Sequence, residues 1–415
     1  MALDDRLRDD ARELTAPLVA LRRRLHEHPE IGLDLPVTQR VVLEELDGLG
    51  LEIGTGEGLS SVTAVLRGAG AGPAVLLRGD MDALPVTEAT GLPFTSRVEG
   101  AMHACGHDLH TAMLVGAARL LAAHRDDLAG DVVFMFQPGE EGWDGAGHMI
   151  EQGVLDAAGS RVASAYAMHV MSAELPRGVF ATRPGTLASG SDLLRVTVRG
   201  VGGHGSMPQL ARDPVTAAAE MVTALQTLVT RRFGIFDPVV VTVGTFHAGT
   251  RHNIIPDDAR FEATVRSFSP AAHERISAEC PRLCERIAAA HGVDADVEYR
   301  TEYPVTVNDP GHAAFAAGVI TEVFGAERFE PMANPLSGSE DFSRVLDAVP
   351  GAYLFLGAHP GEELHGPMNH SPRATFDDAV LADGALLHAQ LAVRALQRDA
   401  APAGTEAAQP AGVTS

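Results

Sequence analysis

The chain has 415 residues, of which 45% are hydrophobic and 21% charged, a balance that fits two or three globular domains and excludes fibrous, disordered and membrane-embedded classes. Its formal net charge is -23 and all 32 basic residues are arginine, which excludes a broad basic face for nucleic acid or anionic lipid. Three cysteines form no disulfide framework, the first residues show no basic and apolar leader, and no run of about 18 apolar residues occurs, so a reducing, cytoplasmic setting without export or a membrane span is expected.

Taken in order, Leu3 to Pro29 carries Leu18, Leu21 and Leu25 at helical spacing and reads as a surface helix. Short apolar runs at Leu51 to Ile53, Ser61 to Leu66 and Ala74 to Arg78, separated by glycines, read as strands of an α/β layer. The third leads into Gly79-Asp80-Met81-Asp82, at the carboxyl end of a strand, where open α/β sheets keep their ligands. Leu109 to His124 reads as a helix, and Asp131 to Phe136 as a buried strand that ends in Pro138-Gly139-Glu140-Glu141-Gly142. Ser164 to Met168 is the next strand, with His169 expected in the loop after it. Asp82, Glu140, Glu141 and His169 are thus expected to converge at one end of a sheet. His148 is placed at the start of a helix and assigned no role.

Near residues 186 to 191 the texture changes. Leu194, Val196 and Val198 alternate with polar residues as in a half-exposed strand, and His204 follows in the loop Gly200 to Ser206. Asp213-Pro214 starts a helix that runs through Arg231, strands are expected at Val239 to Val243 and Ala259 to Arg266, a helix at Ala271 to Ala290, and a strand at Asp294 to Tyr299. This β-α-β-β-α-β order is a ferredoxin-like α+β block. It is expected to occupy residues 188–300, inserted into a catalytic domain made of residues 1–187 and 301–398, an α/β unit with a mixed sheet and helices on both faces. Pro281 is expected to kink or break its helix near Glu279, and Cys280 and Cys284 to pack as small apolar groups. The α/β texture returns with a helix at His312 to Phe324, a strand at Ala352 to Leu356 and a helix at Asp377 to Gln397, and residues 399–415 read as a disordered tail.

The chemistry concentrates in Ala101 to His110, which holds three histidines, a cysteine and an aspartate. Thiolate and imidazole suit borderline-soft divalent metals, and Cys105 and His107 reach one small volume if the backbone turns at Gly106. Glu140 and Glu141, bracketed by glycine and proline, are able to point apart, one toward a metal and one toward a metal-bound water.

Read together, His-Ala-Cys-Gly-His-Asp, Gln-Pro-Gly-Glu-Glu, Met-His, Gly-Gly-His-Gly-Ser, Gly-Ser-Glu-Asp-Phe and Asn-His-Ser-Pro resemble the two-metal aminoacylase and carboxypeptidase family, in its cysteine-containing branch of hippurate and auxin-conjugate hydrolases. The resemblance spans about residues 10 to 395. It implies two divalent ions per subunit, zinc, manganese or cobalt, held by Cys105, His107, Glu141, His169 and His370. It further implies Glu140 as general base, Asp82 orienting His107, His204 reaching a neighbouring subunit's site, and Asn253 and Arg266 on the substrate carboxylate. The inserted block is then a lid and dimerisation domain, and the reaction is hydrolysis of an N-acyl amino acid (acetyl, benzoyl or indole-acetyl) by a homodimer. Where many relatives carry His-x-Asp, this chain has Asp80-Met81-Asp82, which leaves Asp80 outside the implied ligand set. Two other readings fit the residues less well. A silent metal-binding assembly domain needs no base such as Glu140, and a Cys105 nucleophile with His107 as base sets two adjacent-but-one residues to a transfer for which they seldom align.

Overall fold

The computed structural model describes residues 2–361 and 366–400. Among these, eight strands form one sheet in the order Glu52–Thr55, Val62–Leu66, Asp131–Gln137, Ala74–Asp80, Ser164–Met171, Gly351–Gly357, Phe180–Thr182 and Phe329–Pro331. The four central strands, residues 131–137, 74–80, 164–171 and 351–357, run parallel, and their outer neighbours pair antiparallel, so the sheet is mixed. Covered on both faces, the strand Ala74–Asp80 is buried along its whole length, and its first four residues, Ala74 to Leu77, are a continuous apolar run. One face carries the larger core, under helices that include Thr15–His26, His107–Ala123, Pro310–Phe324 and Leu381–Ala400. Smaller helices at Gly145–Glu151 and Ser343–Ala348 cover the other. The segment Asp378–Ala400 is long and apolar enough to cross a membrane, but most of it is buried in the core against His107–Ala123.

Three expectations are corrected in this domain. Leu3 to Pro29 is two helices, Leu3–Glu13 and Thr15–His26, rather than one; Leu7, Leu18, Leu21 and Leu25 face the core as in a surface helix, but Arg22 and His26 are buried as well. Arg22 is buried because Asp108, from a distant helix, meets its Nε at 2.7 Å. His169 lies inside its strand, which continues to Met171 by pairing with Gly357. The last helix continues to Ala400, and Asp399 accepts a hydrogen bond from Ser164 Oγ at 2.9 Å; the remainder of the expected tail, 401–415, lies outside the described residues.

Between the two halves of this sheet's sequence, strands Gly190–Arg199, Val239–Ala248, Asp258–Ser267 and Asp294–Tyr303 form a separate antiparallel sheet. Its order, 239–248, 258–267, 190–199, 294–303, with helices Pro214–Arg232 and Pro270–His291 packed on it, is the ferredoxin-like arrangement. Asp213 caps the first helix by accepting from Val215 N at 2.9 Å. The second helix is continuous through Pro281, so the expected break does not occur. Its buried stripe of Ala272, Ile276, Cys280, Cys284 and Ile287 holds it on the sheet across the missing hydrogen bond. The last strand runs to Tyr303, past the expected limit at residue 300. A short pairing of Gly185–Ala188 with Thr306–Asn308 links the two sheets.

Candidate metal centre

The site is built on one turn. Gly106 has φ +87°, and a Cβ there would lie 2.4 Å from Val170 Cγ2, so only glycine allows the chain to pass. The turn throws Cys105 and His107, the latter now the first residue of its helix, toward one point. Cys105 Sγ lies 3.2 Å from His169 Nε2 and 3.2 Å from His370 Nε2. Glu141 Oε1 lies 3.3 Å from His370 Nε2 and 3.9 Å from His107 Nε2. Ligands about 2.0–2.3 Å from a tetrahedral ion stand roughly 3.3–3.8 Å apart, so the spacings match the edges of a coordination shell. His107 Nε2 and Glu141 Oε1 are also buried without a hydrogen-bond partner. Each such orphan costs about 1–3 kcal/mol, which a bound cation offsets. Three overlapping donor groups result: Cys105 with His107 and His169, Cys105 with Glu141 and His370, and His107 with Glu140 and Glu141.

The donors are held by their neighbours. His169 Nδ1 donates to Val170 O at 2.8 Å, which leaves the Nε2 lone pair facing the cluster. Asp82 Oδ1 accepts from His107 Nδ1 at 3.3 Å and from Glu140 N at 3.0 Å, and Oδ2 accepts from Glu141 N at 3.0 Å. One carboxylate therefore sets the imidazole and both glutamates. Asn369 Nδ2 donates to Cys105 O at 3.1 Å and to Val170 O at 3.0 Å, while its Oδ1 accepts from Ser172 N at 2.9 Å. The next residue, His370, sits at φ +70°, an unusual conformation for a side chain-bearing residue and one that these contacts over-determine. His110 is not available as a ligand, because Nδ1 donates to Asp80 and Nε2 accepts from Val170 N. Asp80 lies 3.6 Å from His107 Nε2, but its oxygens are occupied by His110 and Arg78.

Below the cluster the fully buried Arg78 donates to Gln137 and is paired with Asp80, Glu340 and Asp341. Burial first, then the carboxylates of Glu340, Glu141 and Asp341, pushes the Glu140 carboxyl well above its ordinary range. A carboxyl raised in this way is suited to holding and returning a proton. Burial also opposes charge on Glu141, but His370 and His107 hold its carboxyl below the usual range. Burial and Glu141 push the Cys105 thiol up, so a thiolate forms there only with a cation beside it.

Arg266 lines the adjoining cavity of about 420 Å³ and donates to Ser339 Oγ at 3.0 Å. His204 and Asn253 do not line it. They sit together at an exposed corner of the inserted domain, where Gly205 N donates to Asn253 O at 2.9 Å and Ser206 N to His204 Nδ1 at 3.1 Å. Sequence reasoning missed Arg78, Asn369 and Tyr303, whose hydroxyl donates to Glu140 O at 2.6 Å. Arg78 had a signal in a charge at the end of an apolar strand, and Asn369 in its place at the head of the Asn-His-Ser-Pro motif. A groove of about 330 Å³ against the edge strand Glu52–Thr55 contains no histidine or cysteine, and its one acid is bound by Arg67.

A two-ion donor cluster at the carboxyl ends of parallel strands, with a second domain inserted in the chain, defines a metal-dependent hydrolase. Residues 76–394 match the family model described as peptidase family M20/M25/M40, and the chain belongs to that family. It is 38% identical over 398 residues to thermostable carboxypeptidase 1 of Saccharolobus solfataricus, covering 95% of this chain and 99% of that protein. It is 37% identical to IAA-amino acid hydrolase ILR1-like 4 of Arabidopsis thaliana (91% and 86% covered) and 34% identical to hippurate hydrolase of Campylobacter jejuni (93% and 98%). The crystal structure of the Bacillus subtilis YXEP protein, a dinuclear metal binding peptidase from the M20 family, matches with a TM-score of 0.79 at 32% identity, covering 93% of this chain and 99% of that one. The cofactor is a pair of divalent metal ions.

Proposed function

We propose that the chain hydrolyses the amide bond of N-acyl amino acids of the acetyl, benzoyl or indole-acetyl type, releasing a carboxylic acid and a free amino acid. The observation that carries this reading is Glu140, a buried carboxyl of raised pKa whose oxygen lies within 4.8 Å of donor atoms of His107 and Glu141. A silent assembly domain needs no such group. The likeness to proteins named hippurate hydrolase and IAA-amino acid hydrolase supports the same substrate class.

In this reading Cys105, His107, Glu141, His169 and His370 hold the two ions, which are zinc, manganese or cobalt. When bound, the ions supply a water acidic enough to ionise near neutral pH and a polarised carbonyl. Glu140 takes a proton from the attacking water as the new C–O bond forms, and returns it to the amide nitrogen as the C–N bond breaks. Asp82 keeps His107 and the backbone of both glutamates in register. Arg266 receives the amino-acid carboxylate.

We further assign the inserted domain a lid and dimerisation role. Strand Val239–Ala248 is an open sheet edge with Val240 and Phe246 exposed, and Ile235 and Phe236 just before it are 85% and 96% exposed. These features support a homodimer in which His204 and Asn253 of one subunit complete the partner's site, His204 donating to the carbonyl oxygen as it gains charge. The three free cysteines are all buried and fit a cytoplasmic protein.

The substrate reading is tested with acetyl, benzoyl and indole-acetyl amino acids and metal analysis of protein purified without chelator. Cleavage that is lost on chelation is expected; two bound metals with no cleavage of any amide would favour the assembly role. For the shared site, mixing inactive His204→Ala and Glu140→Gln subunits should restore activity. A mixture that stays inactive after verified subunit exchange overturns it.

A further inference from the structure

The cavity beside the metal cluster is shaped by an irregularity in the inserted sheet. Strand Gly190–Arg199 sets Ser191 opposite Arg266 on one side and Tyr303 on the other. Residues paired across strands share a face, and all three line the cavity. The register slips between Thr301 and Tyr303, so Glu302 and Tyr303 together stand against Ser191. In regular register Glu302 itself would stand opposite Ser191 and Tyr303 would point away; the bulge brings Tyr303 to the same side while Glu302 keeps its contact with Ser191. Ser191 Oγ donates to Glu302 Oε2 at 3.1 Å, and Glu302 joins the cavity lining. The pairing of Arg300 with Glu302, at 3.1 Å, involves a guanidinium more than half exposed and neutralises little. Apart from the metal cluster, the side chains of this cavity offer one cation, Arg266, facing Glu302 and walls of Met171, Leu336 and Phe355.

We propose that Glu302 is a specificity determinant that disfavours acyl derivatives of acidic amino acids and favours those whose side chain is neutral or cationic. The inference rests on Arg266 receiving the substrate's α-carboxylate. One carboxylate satisfies that arginine, and a second brought into the same cavity meets the negative Glu302 with no further cation to accept it. Like charges brought together in a partly closed site are a common means of rejecting a wrong partner.

The test compares kcat/KM for the L-glutamate, L-glutamine and L-arginine conjugates of one acyl group in the parent and in Glu302→Gln. Ratios are taken within each protein, so a general loss of activity in the variant cancels. The glutamine conjugate should exceed the glutamate conjugate by about tenfold or more in the parent, with the arginine conjugate at least equal to glutamine, and the glutamine-to-glutamate ratio should shrink about tenfold in the variant. Equal rates on glutamate and glutamine in the parent, or a ratio that Glu302→Gln leaves in place, overturn the proposal for Glu302 alone. Cleavage of none of the three, nor of any conjugate in the wider panel, overturns the acyl-amino-acid reading, and this inference falls with it.

Discussion

Asp82→Asn preserves shape while removing one acceptor and a negative charge, and its consequence is open to a local calculation. Oδ1 of Asp82 serves two donors, Glu140 N–H and His107 Nδ1–H, and Oδ2 serves one, Glu141 N–H. An amide retains most by leaving its oxygen at the Oδ1 position, so its NH₂ faces the Glu141 N–H, donor against donor. A hydrogen bond to a charged group contributes about 1.5–3 kcal/mol, and a buried N–H left unpaired costs about 1–3 kcal/mol. The two figures overlap, so a local cost of about 2–4 kcal/mol is expected, concentrated on Glu141 and the ring of His107. Both are proposed ligands, and loss of a group that orients a ligand weakens metal binding by about 10- to 100-fold, or about 1.4–2.7 kcal/mol. The assay is titration of the metal-free protein with zinc against a chromophoric chelator, with turnover measured at saturating metal. At least one ion should weaken by that factor, and turnover should stay below the parent's because Glu141, next in the chain to Glu140, loses its backbone acceptor. If both ions bound with the parent's affinity, the role given to Asp82 would be refuted.

Glu140→Gln should retain both metals and lose about 10²- to 10⁴-fold in kcat, whereas Glu141→Gln should lose metal affinity; metal counting beside turnover separates the two. Cys105→Ser should weaken zinc more than manganese, because a hydroxyl is harder and far less acidic than a thiol, and equal losses in a competition titration would tell against thiolate ligation. Asp108→Asn leaves Arg22 with Asp378 alone in a fully buried position and should cost about 3 kcal/mol in denaturant unfolding. That difference should be largest between about pH 4 and 6.5. Burial opposes charge on Asp108, but Arg22 and His26 hold its carboxyl below the usual range, so its contribution is lost as pH falls below about 4. Burial also opposes charge on His26, yet Asp108 raises it, so that contribution is lost as pH rises above about 6.5 through the raised value. A difference that does not vary with pH would show that the pair does not titrate with folding.

The sequence by itself determined the parts whose cause is local. Ala74 to Arg78 and Asp131 to Phe136 are apolar runs because strands covered on both faces must be. Asp258–Ser267 alternates because only one of its faces is covered. Cys105 and His107 come to one point because the glycine that turns them together lies between them, within three residues. Tertiary structure alone decided what depends on partners far along the chain. Arg78 meets Glu340 across 262 residues, and Asn369 meets Cys105 across 264, distances over which no sequence window reports a contact. Arg22, in the surface helix Thr15–His26, is buried for the same reason, since Asp108 and Asp378 reach it only in the fold. His169 belongs to a strand rather than a loop because Leu356 and Gly357 extend the ladder beyond it, and Pro281 stays helical because a buried stripe outweighs one lost bond of about 3 kcal/mol. The bulge that sets Glu302 and Tyr303 together against Ser191 follows from strand pairing just before the link at Thr306–Asn308. A propensity pattern describes how a segment satisfies itself, and a bulge or a buried ion pair exists only where two segments satisfy each other.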